Sequence, residues 1–464
     1  MNLEAVKKKE AEELVKREKW ASRKPIKYGL FLTMIALFFV SGIDEVCTSI
    51  GTQLQSSVVA EFFVNRGIRF NEGIAMYATV TSLTGMMYML TPFYKALADK
   101  FGRKLFLALN TAGMGIGMIL CWTSTNAVMY FIGFMICQFF IQHDMQIVFL
   151  YEVAPKDKRA TIYGLIKGLS TFGVVLVPYL RTMLMGNDPT KWRYVYMVPG
   201  ILAVSIAVLV FIVTRESKDF LDKRIEYLKM PFEVRHPQKI KDKKLSNETK
   251  ERKVGVFHGL KQLVRNKQLL WPAIAVMLFM LASRSIAGYA EAIMTGYGMS
   301  TENVSKALYM YPFVYGFLQI GAGFFGDQFG RKKVVAIGGT VALVGFLGFN
   351  FVALYGINPY LVGTLYGVYI GCWWLNIDYA NMMIVENAPT YNRGSIAGAI
   401  GFATMIGGMV GMVIPIIAPL LFDKVGFGYM VGSAPFVLIG ILIIIFKCKE
   451  TKGVDLSTVE YENE

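Results

Sequence analysis

Charge is what the chain has least of where it matters most. Asp, Glu, Lys and Arg make up 17% of 464 residues, while 54% are hydrophobic. Residues 105–140 contain no charged side chain at all. A run that apolar is longer than one bilayer crossing and cannot coat a soluble surface. Histidine is scarce, with three copies, and the five cysteines follow no zinc or disulfide spacing, so no metal centre and no cofactor are expected. No Walker-type phosphate loop occurs, which excludes ATP-driven transport, and no catalytic constellation marks an enzyme. A short apolar core with a small-residue cleavage site is also missing, so no signal peptide is expected. The net charge of +15 does not imply nucleic acid, because the basic residues sit between apolar spans rather than among base-stacking aromatics.

What is present is a stretch that occurs twice. Residues 152–164 and 386–398 both read E-x-A-P-x-x-x-R-small-hydroxyl-I-x-G, 234 residues apart. Asp99-Lys100-Phe101-Gly102-Arg103-Lys104 is repeated as Asp327-Gln328-Phe329-Gly330-Arg331-Lys332, and Arg215-Glu216-Ser217-Lys218 as Lys449-Glu450-Thr451-Lys452. Asp144 and Asp378 match in the same way, each eight residues before its Glu. Repetition at half-length between apolar spans indicates a membrane protein of two related halves.

Apolar windows place twelve spans near 28–52, 73–97, 104–124, 126–151, 160–184, 193–214, 268–297, 304–326, 333–355, 359–385, 394–420 and 427–447. The expected architecture is all-α: a tail over 1–27, a six-helix bundle over 28–214, a linker over 215–267, a second bundle over 268–448 and a tail over 449–464. The linker ends in an amphipathic segment, 254–264. The amino-terminal tail, with Lys7, Lys8 and Lys9, is read as a partly helical arm, solvated rather than bound to the membrane. Lysine and arginine concentrate in alternate connections, which puts both termini in the cytoplasm and the protein in the plasma (inner) membrane, as a monomer in the lipid bilayer.

Ionisable residues inside spans cost about 2.5–3.5 kcal/mol or more and need a partner or water. They are Asp44 and Glu45, His143 and Asp144, Lys167 and Arg181, Arg284 and Glu291, and Asp378. Asp144 and Lys167 lie eight residues from the cytoplasmic Glu152 and Arg159, about 12 Å deep on adjacent helices, and are expected to pair. Asp44 and Arg284 lie at like depths in spans one and seven. They either bridge the halves on the outer side, or Arg284 grips a substrate carboxylate, or Glu291, seven residues on, satisfies Arg284 locally. Gln138, Gln142 and Gln146 form a polar stripe on span four, with Trp373, Trp374 and Asn376 in the matching part of span ten. Glycines in spans three and eleven serve close helix packing.

The D-x-F-G-R-K turns resemble the signature loops of the major facilitator superfamily. The E-x-A-P-x-x-x-R element, with R-E-S-x-x-F-L after span six and K-E-T-K-G after span twelve, is similar to its sugar-porter branch and the related metabolite:proton symporters. Lys95 stands where the first signature usually has glycine, and the glutamine-rich sugar signature of span seven is absent from residues 282–291. The resemblance implies a secondary transporter working by alternating access, coupled to protons, with an organic acid slightly ahead of a sugar as solute, or a transporter-like sensor in the same fold. It also implies a cytoplasmic gate of Asp99, Arg103, Glu152, Arg159, Glu216, Asp327, Arg331, Glu386, Arg393 and Glu450. Asp99 would face the start of span eleven and Asp327 the start of span five. Substrate and coupling candidates are then Asp44, Gln138, Gln142, His143, Asp144, Lys167, Arg284, Glu291, Trp374, Asn376 and Asp378.

Overall fold

The structure is a computed structural model and describes residues 3–23, 29–90, 94, 97–98, 101–141, 145–153, 159–186, 188–232, 256–284, 288–387, 393–422 and 425–452. It is helical throughout, with no strand among the described residues. Unbroken helices form span three (Arg103–Trp122), span six (Trp192–Val213), span eight (Thr301–Phe329), span nine (Arg331–Leu354), span ten (Pro359–Glu386) and span twelve (Val425–Lys447).

Spans one, two, five, seven and eleven are each built from more than one helical piece. Span one is Gly29–Gln53 followed, after a bend at Leu54, by Gln55–Phe62. Span two passes from Phe70–Ser82 into a 3-10 stretch, Leu83–Leu90. Span four is described over Ala127–Ile141 and Met145–Val153, and span seven divides into Lys267–Arg284 and Ala290–Gly296, with a turn at 288–289. Span five runs from Arg159–Thr171 through Leu176–Leu180 to a π-helical turn, Arg181–Met185. Span eleven comprises Arg393–Gly411 and Val413–Leu421. Among the described residues, seven helical stretches are individually long and apolar enough to cross a bilayer. Broken helices are tolerated at membrane depth only where the freed backbone groups are buried in protein or line a cavity.

Apolar side chains point outward as well as inward. Ile212 and Phe446 are 72% and 75% exposed, which only a lipid solvent accommodates. Inside, the helices approach where glycine permits. A Cβ on Gly117 of span three would sit 2.6 Å from the Cys137 backbone nitrogen of span four. In the second half, Gly407 and Gly411 of span eleven lie against the Met277 and Leu281 carbonyls of span seven. The hydroxyls of Tyr77, Tyr130 and Tyr196 form a buried chain, 3.2 and 3.0 Å apart, through spans two, four and six. Across the halves, span two packs on span eleven and span five on span eight.

The amino-terminal arm is not simply solvated. Its helix, Leu3–Ala21, packs along the linker helix Lys218–Lys229. The Glu13 carboxylate accepts from Arg17 at 2.7 Å and from Arg224 at 3.0 and 3.1 Å. Burial raises the Glu13 carboxyl, but the two guanidiniums outweigh it and hold the group below its ordinary value. Arg17 is buried, 5.0 Å from the Phe220 ring centre. The last linker helix, Val256–Arg265, lies against span eleven with Leu263 buried, as its amphipathic pattern requires.

Candidate functional site

At the linker end the repeated motif builds the same device twice. Gly102 and Gly330 end their turns at φ 126° and 88°, in the left-handed region that favours glycine. A Cβ there would also strike the Glu216 or Glu450 carboxylate. Glu216 accepts from the Arg103 and Lys104 backbone nitrogens at 2.9 and 3.1 Å. Glu450 accepts from those of Arg331 and Lys332 at 2.8 and 3.1 Å. Each carboxylate therefore caps the N-terminus of the helix behind its glycine, where unpaired N–H groups and the helix dipole favour an anion. These backbone donors belong to the same half as the carboxylate that they hold. Arg331 does reach Glu386, at 2.9 Å.

The two caps differ in cover. Burial pushes the Glu216 carboxyl above its ordinary value despite its backbone bonds and the charge of Arg17. Burial acts on Glu450 too, but there the bonds from Arg331, Lys332, Thr451 and Lys452 prevail and lower it.

Between the ends, spans one, four and five enclose a cavity lined by Ser41, Asp44, Gln146 and Lys167 among Leu37, Leu150 and Ile166. The Lys167 ammonium is paired with Glu45 of span one. Lys167 also acts electrostatically on Asp378 of span ten, in the other half. Trp374, four residues before Asp378, shares its face of the helix and is likewise exposed. Sequence reasoning did not name Glu45 as a partner of Lys167; the expected partner, Asp144, lies outside the described residues. Gln146 lines this cavity, and Gln138 is half-buried further along span four.

Asn376 does not face the cavity. It is fully buried between spans nine and ten, where a Cβ on Gly338 would lie 2.8 Å from its Oδ1 and one on Gly339 3.0 Å from its Nδ2. Trp373 donates its indole N–H to the Phe279 carbonyl at 3.0 Å and serves packing.

The far end holds the contact that joins the halves. Arg181 of span five meets Glu291 of span seven at 3.6 Å, with side chains 1% and 2% exposed. Arg181 also donates to the Gln53 carbonyl, freed by the break in span one, and to Ser305 of span eight at 3.3 Å. The other Glu291 oxygen accepts the Ser56 backbone N–H at 2.7 Å, and Gln53 donates to the Tyr311 hydroxyl at 3.2 Å. The expected Asp44–Arg284 bridge and the local Arg284–Glu291 pair fall on the Arg284 side chain, which lies outside the described residues. A buried arginine and glutamate were both visible in the sequence; which of several charges would meet was not.

Gln142, His143, Asp144 and Asp99 lie outside the described residues, as do the side chains of Glu152, Arg159, Arg284, Asp327 and Arg393. Among the described residues no group of three or more His, Cys, Asp or Glu could hold a metal ion.

Comparison with known proteins gives this arrangement its context. The family model described as Major Facilitator Superfamily matches residues 30–412. The chain is 24% identical to the glucose transporter GlcP of Staphylococcus epidermidis over 399 residues, covering 79% of this chain and 83% of that one. It is 23% identical to a D-xylose transporter of Levilactobacillus brevis, covering 78% and 82%. The crystal structure of a D-xylose-proton symporter superimposes with a TM-score of 0.69 at 15% identity, covering 91% of this chain and 99% of that one, a likeness of fold. With that fold and a family match over most of its length, the chain belongs to the major facilitator superfamily and is a multi-pass membrane transporter, not an enzyme.

Proposed function

We propose that the protein is a proton-coupled symporter of a small hydroxylated solute, a monosaccharide. Its linker and both termini lie in the cytoplasm, and the units 28–214 and 268–448 rock against each other. The observation that carries this reading is the placing of Lys167. It is paired with a carboxylate of its own half, Glu45, and is close enough to act on a carboxylate of the other, Asp378. Lys167 thus stands between carboxylates of the two halves, and a change in the charge of either alters how the halves attract each other. A few kcal/mol of such bias suffices to shift a two-state equilibrium.

The preference for an organic acid gives way to sugar on two grounds. An acid needs a cation to receive it, and the described intramembrane cations Lys167 and Arg181 already face Glu45 and Glu291. Sugars are also named by the glucose and D-xylose transporters that share most of the chain. The fully buried tyrosine and glutamine groups of spans one and eight suit hydroxyls that both donate and accept.

The test is uptake into proteoliposomes of D-glucose, D-xylose and a set of organic acids, with and without an imposed pH gradient. Sugar uptake should rise with an inward proton gradient, and Glu45→Gln should abolish that rise while leaving exchange of solute intact. Uptake of acids alone, or indifference to the gradient, would refute the reading.

A further inference from the structure

The latch at the far end is surrounded by polar groups that it leaves unused. Gln53, Gln55 and Ser56 are 1%, 0% and 6% exposed. Gln53 Oε1, both amide atoms of Gln55 and the Ser56 hydroxyl are enclosed and have no hydrogen-bond partner. Buried polar atoms are ordinarily paired, and those left alone destabilise the state that encloses them. These four fall within four residues, at the bend between Gln53 and Gln55. The bond from the Ser56 nitrogen to Glu291 ties the short helix Gln55–Phe62 to the short helix Ala290–Gly296 of the other half. When Arg181 and Glu291 part, that tie goes with them, and residues 53–56 come to line the opening mouth.

We infer that residues 53–56 form a first-contact site for the solute at the far mouth, distinct from the cavity lined by Asp44 and Lys167. Gln53 lies eight residues beyond Glu45, about 12 Å further along span one. The site offers amide and hydroxyl groups that donate and accept, which suits a hydroxyl-bearing solute. This rests on the sugar-symport reading. It adds an order of events: the solute is gathered by these groups while the far end is open, and closure returns the halves to Arg181 and Glu291.

The test is the sidedness of KM for the transported sugar in Gln55→Leu, measured in whole cells and in inverted membrane vesicles. KM from the far side should rise about tenfold, the loss of one well-made hydrogen-bonded pair, with KM from the linker side unchanged. Thermal unfolding in detergent checks the fold. The melting temperature should stay level or rise, since an apolar side chain replaces an unpaired buried amide. An unchanged far-side KM, an equal rise from both sides, or a drop in melting temperature that marks a structural water site would each overturn the proposal. If the wild-type protein takes up no sugar, the functional reading fails, and the ligand class assigned to this site fails with it.

Discussion

The two ends of the molecule use charge in opposite ways. At the far end Arg181 and Glu291 are buried and join one half to the other. At the linker end Glu216 and Glu450 satisfy backbone N–H groups inside their own halves. The first arrangement decides how the halves meet. The second stiffens the turn between two helices, so that each half can move as a body. Among the described residues, the buried ion pair between the halves lies at the far end and the helix caps at the linker end.

The largest effect is expected from breaking the far-end link. Glu291→Ala leaves a buried guanidinium uncompensated and should cost about 3–5 kcal/mol in thermal unfolding. The exposed Lys229–Glu18 pair at the linker end is the control, and Glu18→Ala should cost less than about 1 kcal/mol. Equal effects would erase the distinction between the ends.

A smaller effect separates the two caps. Glu216→Ala should cost near the upper end of about 0.5–2 kcal/mol, because its helix end is covered and water cannot easily replace the carboxylate. Glu450→Ala should cost near the lower end, because Glu450 is exposed. A reversed order would contradict the role given to the docked amino-terminal helix.

The smallest effect is a pH dependence of opposite sign. The Glu216 carboxyl is raised, so its contribution is fully present below its ordinary value and is lost as pH rises through the folded value. The Glu450 carboxyl is lowered, so its contribution is present above the ordinary value and is lost as pH falls through the folded one. Wild-type stability relative to Glu216→Gln should therefore fall as pH rises above the ordinary carboxylate value of about 4.3, and relative to Glu450→Gln should fall as pH drops below it. Parallel slopes in the two melting series would show that the caps do not differ in burial.

Much of the fold is written in the chain because its cause is local. Twelve apolar spans, the half-length repeat and the glycines at 102 and 330 follow from hydropathy, duplication and backbone sterics. The docked arm is harder to read, since a mixed-charge helix such as Leu3–Ala21 looks solvated until Arg224 and Phe220 are brought beside it. The breaks in spans one and seven carry no proline to announce them.

The site was legible as a set of residues and not as a set of pairs. Lys167 and Glu291 were identified as charges that need partners, but depth alone ranks several partners equally. Glu45 beside Lys167, and Arg181 beside Glu291, follow from which faces of spans one, five and seven turn towards each other. Asn376 shows the same limit, because a one-position helix matches the cavity by sequence number while its side chain turns to Gly338 and Gly339.

Alternating access through the far-end link can be tested by measuring two distances in one protein. The five cysteines are buried, which leaves introduced ones free for spin labels. One pair, at Val64 and Ile357, reports the far end, and another, at Lys218 and Lys333, reports the linker end. In the wild-type protein the far-end pair should be close. Glu291→Gln should add a longer far-end population and shorten the linker-end distance in the same proportion. A far end that lengthens with no answer from the linker end, or does not lengthen at all, would contradict a pair of rigid halves pivoting on Arg181 and Glu291.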